Sequence, residues 1–298
     1  MIGIVIGGPT GVGKTSLSIK LAKILDAVII NCDSMQIYKE MHIGTAKIKE
    51  EEKNGVPHYM FDIISPIDSY SVGDYYRDVN LLLEQFEKEN KNVILVGGTG
   101  LYINAVTNGL SKLPESNKDL RRTFEEKSTE ELYKELENLD VEAAKSIHPN
   151  NRVRVERALE VCLLTGEKFS ILNKKNIKGN NYEFHKFALE RNRDILYDRI
   201  NYRVELMLEQ GLEEEVRSLY EKYKEKITNT KAIGYKELFW YFEGKITKEE
   251  AIELIKKESR HYAKRQFTWF KGDIDYKWFD LGQIEEDKII ENILKFFN

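Results

Sequence analysis

The chain has 298 residues, 41% hydrophobic and 32% charged, with a formal net charge of −4. That is enough apolar material for one large or two modest domains, and the near balance of charge excludes a global basic field, so any nucleic acid must be met by local patches. Two cysteines, Cys32 and Cys162, exclude a disulfide framework and a Cys-based zinc site.

The start, MIGIVIGGPTGVGK, lacks a charged region and a small-residue cleavage site, and no apolar stretch approaches the roughly 18 residues of a membrane helix. A reducing cytoplasm, no membrane and a monomer are the expectations. Ile2 to Ile6 is the first β-rich run. It is followed by Gly8-Pro9-Thr10-Gly11-Val12-Gly13-Lys14-Thr15, which fits G-x-x-x-x-G-K-[ST] between a predicted strand and a predicted helix over Thr15 to Leu25. Glycines let successive N–H groups face one anion, and the helix start adds partial positive charge. Lys14 supplies a mobile cation, and the Thr15 hydroxyl can complete a Mg²⁺ shell. The loop implies a bound di- or triphosphate without selecting ATP.

A second strand, Ala27 to Ile30, runs into Asn31-Cys32-Asp33-Ser34-Met35-Gln36-Ile37-Tyr38. An apolar run that spills into a carboxylate, a hydroxyl, an amide and a phenol opens onto a site. Ser71 to Asn90 is a predicted helix, with Val72, Tyr75, Tyr76, Val79, Leu82, Leu83 and Phe86 at helical spacing. The third strand, Val93 to Val96, ends in Gly97-Gly98-Thr99-Gly100. A motor-type NTPase usually carries a metal-holding acid at such a strand end. Here the nearest acid behind a core strand is Asp33.

Alternating strands and helices predict a parallel α/β sheet whose strand ends share one crevice. From Asn117 to Lys175 the chain reads as charged and helical, and 173–181 as a polar loop. Strand character returns at Phe184 to Leu189, followed by an amphipathic stripe of Leu196, Ile200, Val204, Met207 and Leu208 and a run from Lys248 to Trp269. The expected organisation is a P-loop parallel-sheet core over 1–114, a helical insertion over 115–183, and a largely helical second part of the core over 184–298.

Two basic clusters stand out. In the insertion, Arg154 and Arg157 share a helix face beside the buried stripe Val155, Ala158, Leu159 and Cys162. Near the end, Lys257, Arg260, Lys264 and Lys271 form a stripe among Tyr262, Phe267, Trp269 and Phe270; Phe267 and Trp269 are read as core. Phosphates are held by such cations. His58, His148 and His261 lack ligand spacing, so no metal site is drawn from them.

Two chemistries fit these residues. Asp33 could take a proton from a hydroxyl as ATP gives up its γ-phosphoryl group. Alternatively, the loop could hold a diphosphate leaving group while Asp33 deprotonates a nucleophile that attacks carbon. A non-catalytic RNA-binding module is a third reading, which the intact Lys14 and Thr15 oppose.

Laid end to end, the motifs resemble the tRNA dimethylallyltransferase (isopentenyl-tRNA transferase) family. They are GPTGVGKT (8–15), DSMQIY (33–38), IGTAK (43–47), GVPHYMFDI (55–63), YSVGDY (70–75), LVGGTGLY (95–102), HPNN with RVERALEV (148–161), LYDRINYRVELMLEQGLEEEV (196–216), AIGYKEL (232–238) and HYAKRQFTWF (261–270). The resemblance implies the second chemistry: a dimethylallyl group passes from dimethylallyl diphosphate to N6 of the adenosine 3′ of a tRNA anticodon. It implies diphosphate on residues 8–15, Mg²⁺ at Thr15, and Asp33, Thr99 and Lys14 as catalytic residues. Asp33, Ser34, Met35, Gln36, Thr99 and Arg121 match positions that face the target RNA, and Val153, Arg154, Val155, Glu156 and Arg157 match a tRNA-contacting stretch. Gly11 stands where alanine is commoner in the family, and Glu40 and His42 where Gly and Asp are usual. Charge alone nominates Arg260, Lys264 and Arg265 as further diphosphate clamps.

Overall fold

The structure, a computed structural model, describes residues 2–175, 177–178, 182–228 and 230–297. The chain divides into two compact units, Met1–Thr107 with Tyr182–Asn298, and Asn108–Asn181.

The first unit opens with β1 (Gly3–Gly7), α1 (Lys14–Leu25), β2 (Ala27–Asn31), β3 (His58–Tyr59), α2 (Val72–Lys88), β4 (Asn92–Val96) and α3 (Gly100–Asn108). In the second unit β5 (Leu110–Ser111) pairs antiparallel with β6 (Ile177–Lys178). Between them lie α4 (Lys118–Glu125), α5 (Thr129–Leu139), α6 (Val141–Ser146), α7 (Arg152–Thr165) and α8 (Phe169–Lys175). The polar run 173–181 is therefore helical to Lys175 and paired at 177–178; residues 176 and 179–181 lie outside the described residues. The first unit then resumes with β7 (Phe184–Glu190), α9 (Arg193–Glu209), α10 (Leu212–Tyr223), α11 (Tyr235–Phe242), α12 (Lys248–Lys271), β8 (Lys277–Asp280) and α13 (Glu286–Leu294).

Among the described residues the large sheet has six strands in the order β3-β2-β4-β1-β7-β8. Every pairing in it is parallel. Its central strands are mostly apolar because both faces are covered, although β7 (FHKFALE) carries His185 and Lys186. Ile4 and Ile6 face one cluster with Leu17, Leu21 and Phe187. Val5 faces the other, with Tyr75, Val79, Leu83 and Phe86 of α2 and Ile103 of α3. Each such side chain contributes about 1.5–3 kcal/mol when fully buried.

Helix α2 starts at a capping box, the Ser71 hydroxyl accepting from Asp74 N and the Asp74 carboxylate from Ser71 N, which fixes where the chain leaves the long segment after β2. Helices α9 to α12 bury a third cluster built on Val204, Leu212, Val216, Tyr235, Phe239 and Ile255. The second unit has its own core of Phe124, Leu132, Leu136, Val155, Ala158 and Leu159. Among the described residues no helix is long and apolar enough to cross a membrane.

Candidate active site

The phosphate loop spans from the end of β1 to the start of α1, where Gly13 caps the helix at φ +121°. A side chain there would be strained, and its Cβ would lie 3.1 Å from Leu281. Lys14 folds back, Nζ donating to the Gly8 and Pro9 carbonyls at 2.9 and 2.8 Å. Burial lowers its pKa to about 7; Asp33 pulls it up and Arg203 pushes it down.

Three arginines grip the same loop. Arg191 Nε donates to the Val12 carbonyl at 3.0 Å, Arg199 Nε to the Gly11 carbonyl at 3.0 Å, and Arg203 Nη1 to the Thr10 hydroxyl at 3.1 Å. Arg199 and Arg203 lie on α9, which shows in the sequence mainly by its apolar stripe Leu196, Ile200, Val204, Met207 and Leu208, and Arg191 just precedes that helix. The available signal was the pair Arg199 and Arg203, four residues apart beside that stripe. The three cations nominated by charge sit elsewhere. Arg260 Nη1 donates to Asn201 Oδ1 at 2.5 Å, Lys264 is exposed, and Arg265 lines a second cavity.

Beyond β2 the Asn31 side chain bonds both the N–H and the carbonyl of Asp33, and Asp33 Oδ1 accepts from Met35 N at 2.8 Å. One carboxylate oxygen thus shapes the turn. Ser34 N donates to Thr99 Oγ1 at 3.0 Å, and Thr99 N to the Cys32 carbonyl at 3.0 Å, which stitches the ends of β2 and β4 together. Gln36 Nε2 donates to the Thr45 carbonyl at 3.0 Å.

Gln266 of α12 joins the two glycine-rich loops. Its Oε1 accepts from Thr10 N at 2.9 Å and its Nε2 donates to the Gly98 carbonyl at 3.0 Å. A Cβ on Gly98 would lie 1.9 Å from that Nε2, so the approach requires glycine.

Two cavities meet here. The larger, about 490 Å³, is lined by Gly11, Gly13, Lys14, Thr15, Arg199 and Arg203 at its phosphate-loop end. The other, about 320 Å³, is lined by Met35, Ile200, Val204, Met207 and Tyr262. Thr10, Asp33, Thr45 and Arg203 belong to both walls, and among the described residues Asp33 is the sole carboxylate lining either.

A model of the IPP transferase family matches residues 36–273. The tRNA dimethylallyltransferase of Fusobacterium nucleatum is 55% identical over 295 residues, 99% of this chain and 97% of that protein. The chain belongs to the IPP transferase family. A crystal structure of the full-length tRNA isopentenylpyrophosphate transferase from Bacillus halodurans is 41% identical, with a TM-score of 0.75, and covers 99% of this chain and 95% of that one. A eukaryotic dimethylallyltransferase solved acting on tRNA is 30% identical, with a TM-score of 0.81, over 94% of this chain and 74% of that one.

This IPP transferase accommodates Glu40 in a left-handed conformation, φ +64°, which a glycine would adopt freely. Lys222 Nζ and the Tyr223 hydroxyl each donate to the Glu40 carboxylate at 2.6 Å and offset the strain. Glu215 accepts from His42 N, Ile43 N and Gly44 N at 2.9, 2.8 and 3.2 Å and anchors the following turn.

In the second unit Arg121 and Arg157 converge on Glu160, whose carboxylate is fully buried. Arg121 Nε donates at 3.0 Å and Arg157 Nη1 at 2.6 Å, while Arg157 Nη2 also reaches the Pro114 carbonyl. Val153 and Arg154 are exposed, and Glu156 pairs with Arg152 at 2.6 Å. Val155 has no exposed surface and its side chain packs in the core of this unit, as the buried stripe of α7 leads one to expect. Trp269 corrects the reading of α12: it is 38% exposed, whereas Phe270 is buried.

Proposed function

We propose that this chain transfers a dimethylallyl group from dimethylallyl diphosphate to N6 of the adenosine 3′ of a tRNA anticodon, releasing diphosphate. The observation that carries the reading is the position of Asp33, among the described residues the sole carboxylate lining either cavity, on the wall shared by both. One cavity ends in backbone amides, Lys14 and two arginines, a set suited to a diphosphate. The other offers Met35, Ile200, Val204 and Met207, a surface suited to a flat base taken out of its stack.

The N6 lone pair is delocalised into the purine, so the amine attacks poorly unless its proton has somewhere to go. Asp33 accepts that proton as the bond from N6 to the allylic carbon forms. The carbon–oxygen bond breaks, and its electron pair leaves with the diphosphate, whose charge Lys14, Arg199 and Arg203 balance. Ser34, whose N–H is held by Thr99 Oγ1, orients the amine together with Thr99, with Met35 on the second cavity and Gln36 on the first.

Thr15 lines the first cavity, where among the described residues Asp33 is the only acid, a donor set that fits an ion taking most of its shell from phosphate oxygens and water. Mg²⁺ held at Thr15 would neutralise charge on the diphosphate. Arg121, Val153, Arg154 and Arg157 are the proposed tRNA contacts of the second unit.

The test is incubation with labelled dimethylallyl diphosphate and an anticodon stem-loop carrying the target adenosine. Label should enter the RNA, and should not enter when the target base is guanosine. Phosphate transferred from γ-labelled ATP, with no prenyl transfer, overturns the proposal in favour of the kinase chemistry.

A further inference from the structure

Asn31, the last residue of β2, is 3% exposed and lines the first cavity together with Asp33. Its partners fix the sense of its amide, because a main-chain N–H can only donate and a carbonyl can only accept. Oδ1 accepts from Asp33 N at 3.1 Å. Nδ2 donates to the Asp33 carbonyl at 3.3 Å and to the Met60 carbonyl at 3.0 Å. Both amide hydrogens are thereby engaged, so Asn31 has none to give to a diphosphate, and its place on the cavity wall is not that of an anion ligand.

One side chain thus grips both main-chain groups of Asp33 and ties them to the segment that follows β3. Its footing is firm on two sides. The Asn31 carbonyl accepts from the Tyr75 hydroxyl of α2 at 2.8 Å, and Met60 is buried in a left-handed conformation, φ +67°. Asp33 in turn commits Oδ1 to Met35 N at 2.8 Å, which leaves Oδ2 for a proton from the amine. The direction of Oδ2 is set by the Asp33 backbone and by that one anchored oxygen. Proton transfer needs an approach of about 2.6–3.2 Å between heavy atoms, so a small rotation of the turn takes the oxygen out of reach.

We propose that Asn31 is a positioning residue for the transfer: its amide holds the main chain of Asp33 on both sides and so aims the remaining carboxylate oxygen at the reacting amine. The proposal rests on the reading of Asp33 as the base.

The test is single-turnover prenyl transfer to the stem-loop by Asn31→Ala, with a melting curve to report the fold. The rate should fall by about 10- to 100-fold, while the affinities for pyrophosphate and for the stem-loop stay at their wild-type values. In the absence of the carboxylate there is nothing left to aim, so Asn31→Ala/Asp33→Ala should be no slower than Asp33→Ala alone. If Asn31→Ala melts below the assay temperature, Asn31→Ser, which fills part of the site, takes its place in the same comparison. A wild-type rate in the single variant, or a double variant slowed by the product of the two single effects, overturns the positioning role. If Asp33→Ala itself turns over normally, the fault lies in the reading of the base, and the inference falls with it.

Discussion

Lys14 Nζ lies 2.8 Å from the Pro9 carbonyl oxygen, folded onto the loop that carries it. Burial holds this amine at a pKa of about 7, against the opposing pull of Asp33, so it is largely neutral at pH 8.5. A diphosphate beside it favours the charged form and raises that pKa. Binding therefore takes up a proton above pH 7, and affinity falls as pH rises beyond it, by up to about tenfold per unit. Calorimetry of pyrophosphate binding in buffers of different ionisation enthalpy should report uptake approaching about one proton at pH 8.5. Lys14→Met should abolish it. Equal heats in all buffers would contradict the assignment.

Asp33→Ala removes the carboxylate that lines both cavity walls. Single-turnover transfer should slow by a factor on the order of 10² to 10⁴, while stem-loop affinity changes little. Lost affinity with near-normal turnover would make Asp33 an RNA contact instead of a base.

Glu160 carries a stability prediction. Burial is the largest single influence and opposes its charge, yet hydrogen bonds from Arg121, Arg157, Asn117 and Ser116 together outweigh it and bring its pKa from 4.5 to about 2. A carboxylate depressed by folding stabilises above its unfolded pKa, so this contribution is complete above about pH 4.5 and is lost as pH falls towards 2. Glu160→Ala leaves two arginines without their acceptor, at a cost of about 2–4 kcal/mol, because both reach solvent. Hydrogen exchange across residues 108–181 should quicken accordingly, and unchanged protection would refute the estimate.

Arg154 stands exposed on α7. Arg154→Ala should weaken stem-loop binding and flatten the plot of log affinity against log salt by about one unit. An unaltered slope would return the residue to a solvated helix face.

Much of this was legible in the sequence, for definite reasons. The phosphate loop needs its residue types at fixed spacing, and β1, β2 and β4 are covered on both faces, so each reads as a largely β-branched run, while β7 (FHKFALE) shows only its apolar end. The edge strands were not visible. His58–Tyr59 is two residues long, and Lys277–Asp280, KWFD, mixes charge with two aromatics. Arg199 and Arg203 were hidden because their helix announces itself by its apolar stripe alone. Gln266 was hidden because a buried amide inside a basic, aromatic helix has no pattern; its partners, Thr10 N and the Gly98 carbonyl, are main-chain groups and leave no trace in side-chain spacing.

Gln266 lies 256 residues downstream of the Thr10 amide it holds. A nascent chain that has emerged as far as Thr99 displays the phosphate loop, Asp33 and the Gly97-Gly98-Thr99 loop but lacks the arginines and the amide that hold them. Competence therefore arrives late in synthesis, when the closing helix docks, and a truncated product would keep the signature while losing the reaction.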